Sequence, residues 1–223
     1  MSAPETGPLS DAARAEMRMR VSAAFGRLRF YHPVAHLLVP TLIGLAAMGA
    51  ALVTLDSVDG WEWAVPPAMY VFSNAAEWRI HRDLLHRRSR WIPWLYDRHT
   101  LMHHRVFPER DMEILGVHEF GLVLLPPEAT ILLVFVTLPP ALLIAWAGAH
   151  DAARLFFATA VAYVLSYEWL HLAFHLPTQG PFGGVIARLR RHHATHHDPA
   201  HMNRNYNVTV PLWDAVRGTT LRR

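Results

Sequence analysis

The chain has no cysteine. Disulfides, thiolate-bound zinc and iron–sulfur clusters are thereby excluded, and a metal would have to be held by histidine or carboxylate. Lysine is absent too, so all 21 basic residues are arginine. There is no glycine-rich dinucleotide fingerprint and no appended haem domain. The pI near 9.7 has no nucleic-acid motif beside it, so the basic charge fits membrane phosphate and not nucleic acid. Internal repeats, low-complexity tracts and a soluble second domain are also missing.

Apolar residues, by contrast, are plentiful. They make up 52% of the 223 residues, with a mean hydropathy of +0.13, and they come in long runs, as in a membrane protein. Residues 1–20 lack an apolar region after their first charges and do not read as a cleaved signal peptide. Four apolar stretches follow, at about 34–55, 61–78, 120–149 and 152–176. The first has the length of about 20 residues that crosses a bilayer core of roughly 30 Å. The second carries Pro66-Pro67, Asn74 and Glu77, with Trp61, Trp63 and Trp78 near its interfaces, and runs on into His81 with no glycine or proline to stop it. The third contains Pro126-Pro127 and Pro139-Pro140; too short for two spans, it reads as one tilted or kinked helix.

The expected fold is all-α: an integral membrane four-helix transmembrane bundle with a cytoplasmic His-rich helical cap. The cap comprises residues 79–118 and 177–223, the latter opening on a Gly/Pro turn at 180–184. An N-terminal cytoplasmic segment, 1–31, precedes the membrane domain, 32–223. Trp91, Trp94, Leu95 and Tyr96 would anchor part of the cap among the headgroups. Twenty of the 21 arginines fall in 1–31, 79–118 and 177–223, and only Arg154 lies near the opposite face. The positive-inside rule then puts the termini and all the histidine clusters on the cytoplasmic side of a bacterial cell membrane.

Ten histidines stand in four short clusters: His81 with His86; His99 with His103 and His104; His171 with His175; and His193 with His196 and His197. On an α-helix the last three fall at i, i+3 and i+4 and share a face, as do His171 and His175. His99 and His103 have the same i, i+4 spacing, with His104 about 100° further round. His81 and His86, at i, i+5, fit a single α-helical face poorly. Any one pair is an ordinary surface or structural feature. Four sets on one membrane face read as one site, and about ten nitrogen donors exceed what one ion uses, which points to two ions side by side. Imidazole ligation suits zinc, copper, iron or nickel alike. Glu77 and Glu168 stand four and three residues before a histidine and are candidates to accept its other ring N–H. His192 is a candidate substitute for His193, and His201 a candidate supporting residue. His32, His36, His118 and His150 belong to no spaced set.

The order His-x4-His, His-x3-His-His, a membrane span, His-x3-His and His-x2-His-His resembles the fatty acid hydroxylase superfamily, also called the sterol desaturase family. The segment Glu77 to His86 is similar to that family, as is the tail Asn205-Tyr206-Asn207-Val208-Thr209-Val210-Pro211-Leu212-Trp213-Asp214 with Gly218-Thr219. The resemblance covers about residues 65–220. It implies a membrane enzyme holding two non-haem iron ions, with zinc as a substitute in purified samples, that uses O₂ to attack a lipid C–H bond. The family's ligands map onto His81, His86, His99, His103, His104, His171, His175, His193, His196 and His197. One departure is the second box, where Thr100-Leu101-Met102 make three spacer residues against the usual two, leaving His99 the weakest assignment. The wide first box favours a fatty acyl or sphingolipid-type substrate; carotenoid and sterol hydroxylases or desaturases are the alternatives. With no electron-transfer group of its own, the chain would need a separate donor, a ferredoxin or a b-type cytochrome with its reductase, docking on the arginine-rich face.

The rival from another class is a non-enzymatic membrane metal protein, either a transporter or a b-type haem carrier. A transporter would place ionisable ligands near mid-membrane. Here the boxes lie at the ends of the spans.

Overall fold

Ser10 starts the first helix by accepting the Ala13 N–H on its hydroxyl, 3.3 Å away, and Asp11 adds negative charge to the first turn. That helix, α1 (Asp11–Gly26), opens a computed structural model that describes residues 7, 9–29, 31–177 and 183–221. Helices and turns make up all the regular structure among the described residues. Residues 180–182 of the expected Gly/Pro turn lie outside them.

Three helices are long and apolar enough to cross a membrane: α2 (Pro33–Val53), the run Pro127–Trp146, and the 26-residue helix His150–His175. The expected second stretch, 61–78, is not among them. It divides into a 3₁₀ turn, Gly60–Ala64, and a 16-residue helix, α3 (Val65–Ile80). Its polar residues explain why. Asn74 and Glu77 are buried, and apart from the Tyr163 hydroxyl their side-chain partners come from the C-terminal tail. Asn74 Nδ2 donates to the Val210 carbonyl at 2.7 Å, its Oδ1 accepts the Trp213 N–H at 2.8 Å, and Asn207 Nδ2 donates back to the Asn74 carbonyl at 2.9 Å. A polar tail thus packs on this helix, which is not apolar all round.

The third stretch also departs from the single helix expected over 120–149. Phe120–Val123 forms one short helical turn, and the chain then extends at Leu124. Helix α5 (Pro127–Val136) follows, then a break at Thr137, then α6 (Leu138–Trp146). Prolines account for both interruptions. Pro126, before Pro127, is pushed out of the helical region, and Pro139 and Pro140 lack the N–H groups that would carry α5 onward, while proline itself is at home in a helix's first turn, where Pro127 and Pro139 stand. The detached 120–124 segment is not lipid-facing. Phe120, Leu122, Val123 and Leu124 pack with Val106, Phe107, Met112, Ile114 and Leu172 into an apolar cluster.

Gly148, at φ +90°, makes the turn into α7 (His150–His175). Helix α7 packs on α2, α3 and α6. At Gly44 the α2 backbone comes so close that a Cβ would stand 3.0 Å from Leu165 of α7. At the N-terminal end of α7, Asp151 accepts the backbone N–H groups of Asp56 and Ser57, and Glu62 accepts the Ala152 N–H at 2.8 Å. The histidines of α7 stand at its other end. A short helix, α4 (Pro93–Arg98), and the helix α8 (Gly183–His196) complete the framework around them.

Candidate metal centre

The ten clustered histidines converge, and they sort into two groups. His81, His86, His99, His104 and His196 form one; His103, His171, His175, His193 and His197 form the other. Within each group the candidate ligand atoms all lie within 4.8 Å of one another. Ligands about 2.1 Å from one ion lie at most about 4.2 Å apart, so each group needs only a small contraction to close on a metal. The two pockets share a wall, where the rings of His104 and His197 stack at 4.1 Å between centroids.

Local backbone geometry sorts them. Residues His81–Leu85 and His99–His103 are turns of π-helix, with the His86 N–H bonded to the His81 carbonyl at 3.1 Å and the His104 N–H to the His99 carbonyl. A π turn repeats at i+5, so it aligns His81 with His86 and His99 with His104, and such turns recur at functional sites. The expected i, i+4 partnership of His99 and His103 is therefore split, with His103 in the second pocket. The expected common face of His193, His196 and His197 is split too: His193 and His197 enter the second pocket and His196 the first. The first and third boxes each serve one pocket; the second and fourth serve both.

The outward nitrogens settle the tautomers. Nδ1–H of His81 donates to the Tyr206 carbonyl, of His196 to Arg204 at 2.6 Å, of His103 to Leu122 at 2.9 Å, of His175 to Met112 at 2.6 Å, and of His197 to Phe107. A carbonyl only accepts, so in these five rings the proton sits on Nδ1 and the inward Nε2 carries a lone pair. The Thr100 hydroxyl gives its own proton to the Leu85 carbonyl at 2.7 Å and is left to accept from His86 Nδ1, 3.4 Å away.

Lone pairs therefore face lone pairs. His81 Nε2 and His196 Nε2 stand 3.1 Å apart with no proton available between two neutral rings. Nε2 of His175 is buried with no hydrogen-bond partner at all. Protonating a ring would relieve the repulsion, but burial opposes it, pushing His196 and His103 down to about 4 and His81 well below the ordinary value. A cation between the rings satisfies both demands. The donor set fits a metal ion.

The other singled-out residues lie outside both pockets. Glu77 does not meet His81. Its carboxylate accepts the Thr209 N–H at 3.2 Å, the Thr209 hydroxyl at 2.6 Å, the Val208 N–H and the Tyr163 hydroxyl. It fixes the tail whose Tyr206 carbonyl orients His81. Glu168 is buried with one carboxylate oxygen unpartnered, and it makes no hydrogen bond to His171 among the described residues. His192 Nε2 lies 3.2 Å from Asp214, and His201 Nδ1 lies 2.8 Å from Asp198. His32 caps α2, and His36 bonds Tyr31 and the Leu125 carbonyl.

Asp214 had no assigned role in the tail motif, and its place is central. Its carboxylate accepts the N–H groups of Tyr206 and Asn207 at 3.0 and 2.8 Å and the Thr219 hydroxyl at 2.6 Å. Burial would raise its pKa, but the hydrogen bonds from His192, Thr219 and Asn207 prevail and hold it below the usual carboxylate range. The only signal for it was the Asn205–Asp214 motif itself. The five carbonyl acceptors have no side-chain signature.

A cavity of about 30 Å³ reaches His99 of the first pocket and His103 of the second, and is lined mainly by apolar residues including Leu95, Met102, Leu122 and Leu125.

A family model described as fatty acid hydroxylase matches residues 67–219, which holds every one of the ten histidines. No curated protein and no solved structure matches the chain.

Proposed function

Since the chain belongs to the fatty acid hydroxylase family, we propose that it is a membrane oxygenase that hydroxylates a C–H bond of a fatty acyl or sphingolipid-type chain. Two iron ions would be held, one by His81, His86, His99, His104 and His196, the other by His103, His171, His175, His193 and His197. The observation that carries this reading is the pair of fixed, buried lone pairs at 3.1 Å between His81 and His196. Bound iron supplies the power to reduce O₂: substrate, O₂, two electrons and two protons give the alcohol and one water.

The chain's own residues do the rest. The backbone carbonyls of Tyr206, Arg204, Leu122, Met112 and Phe107 keep the imidazoles in the ligating tautomer. The apolar cluster under the second pocket, from Val106 to Leu124, excludes water from that side. Imidazole ligands alone do not choose iron over zinc; family membership supports iron. Four crossings of the membrane, by α2, α3, α5 with α6, and α7, accord with the tie between the 54–64 and 147–152 loops at one end and the histidines at the other. The arginine distribution supports a cytoplasmic site. Exposed Arg87, Arg88 and Arg90 would steer an acidic ferredoxin, or a cytochrome with its reductase, to that face. A metal transporter would need ligands along the spans, whereas both pockets here stand at one end of α7.

The test is metal content of detergent-purified protein from iron-supplemented cells, with lipid extracts searched for species carrying one added oxygen. Two metals per chain are expected, one for each pocket, with His86→Ala and His193→Ala each losing one and both abolishing the oxidised lipid. Metal-free protein, or oxidised lipid that persists in either variant, would overturn the proposal.

A further inference from the structure

The N-terminal helix α1 lies outside the stretch that matches the family, yet it makes the deepest ion pair described in the protein. Arg18, 6% exposed, meets Glu119, 1% exposed, in a two-pronged pair: Nε to Oε1 at 2.9 Å and Nη2 to Oε2 at 2.6 Å. Such bidentate pairs fix geometry as well as charge. Arg18 Nη2 also donates to the Glu113 carbonyl at 2.7 Å, and its guanidinium stands 5.1 Å from the centre of the Phe107 ring. Glu119 Oε2 additionally accepts the Leu115 N–H at 2.8 Å. Further out on α1, Arg14 pairs with Asp111, and Asp11 takes Arg110 at 2.6 Å. All these contacts fall on one loop, 107–119.

That loop orients the second pocket. His175 donates Nδ1–H to Met112, and the Ile114 N–H donates back to the His175 carbonyl at 2.9 Å. His197 donates to Phe107. The first pocket draws its carbonyls from Tyr206 and Arg204, on a tail held by Asp214 and Glu77, and no α1 residue touches it in the hydrogen bonds described.

We infer that α1 is a clamp for one pocket of the two, with Arg18 and Glu119 as positioning residues that hold the 107–119 loop and, through it, His175 and His197. The inference rests on the metal reading of the site. It makes the affinity of the second ion depend on the Arg18 contact made from outside the matched region, and leaves that of the first independent of that contact.

The two pockets can be read separately. In a His86→Ala background metal binding reports the second pocket, and in a His193→Ala background the first. Arg18→Met is expected to weaken metal binding roughly 10- to 100-fold in the His86→Ala background, the usual effect of losing a residue that orients a ligand, and to leave the His193→Ala background unchanged. Glu119→Gln, which keeps the Leu115 contact, should act in the same direction and less strongly. It serves where Arg18→Met does not fold. Arg20→Met, exposed on the same helix, should do nothing. Hydrogen exchange gives a readout without metal: amides of 107–119 should exchange faster in Arg18→Met, while those of 205–210 keep their rate. Equal weakening of both pockets, no change in either, or unchanged exchange in 107–119 would overturn the clamp. A parent chain that binds no metal would instead overturn the reading of the site, and the exchange result would still show whether α1 holds the loop.

Discussion

A buried neutral imidazole has one proton to place, and where it goes decides what the ring can do. In this protein a carbonyl takes it from five rings on the outer side. The consequence for pH follows from the sign of the shifts. His103 and His196 titrate at about 4 in the fold, against 6.5 in an unfolded chain, so the unfolded chain takes up protons first as the pH falls. The stability these two rings contribute is therefore full above about pH 6.5, declines below it, and levels off near 4; metal held as proposed would be released in the same direction, because the ligands must be deprotonated. Melting temperature and retained metal, followed in detergent from pH 8 to 4, should fall together. A flat profile would mean that the rings are not buried neutral donors. Asp214→Asn tests the support for the first pocket. It sets an amide group against backbone N–H groups that the carboxylate accepts, and should cost about 1–3 kcal/mol in thermal or denaturant unfolding. The histidines themselves were legible from their clustering. Their partners were not, because a carbonyl belongs to every residue alike and only the packed chain brings a particular one into range.

Between residues and fold stand the two π turns. A π turn is an α-helix with one residue inserted, and it repeats at i+5. His-x3-His-His in a π turn thus presents its first and last histidines as His-x2-His-His would in an α-helix. Deleting Leu101 from the 99–103 turn should let it relax to α-helix with His99 and His104 still paired, and metal content should stay near that of the parent. Inserting an alanine after Leu101 should swing His103 and His104 about 100° round the helix and empty both pockets. Metal loss on deletion, or retention on insertion, would sink this account. The i, i+5 spacing of His81 and His86 looked unfavourable because the helix was taken as α. The prolines near 126 and 139 were visible as kinks, but that 120–124 would leave the apolar run and pack beneath the histidines depends on Phe107 and Leu172 being there to receive it.

For the whole molecule, the proposed orientation has a direct test, helped by the absence of native cysteine. Ser57→Cys, exposed at the end away from the histidines, should react with a membrane-impermeant maleimide in intact cells; Ala200→Cys, exposed beside the last histidine box, should react only after lysis. The opposite pattern would invert the topology and put the site on the outer face. The arginine asymmetry is legible without coordinates, since it depends on composition along the chain. How α1 joins the rest is not, since Arg18 and Glu119 are 101 residues apart and nothing local links them.

By itself the sequence determined the helical class, the apolar runs, the ten histidines and the family, because each depends on residue type and short-range spacing. Only the tertiary structure decided which histidine joins which pocket, where the proline-rich run breaks, and that Glu77 and Asp214 secure the tail instead of meeting a ring. Those choices depend on backbone register and on which distant segments come within hydrogen-bonding distance.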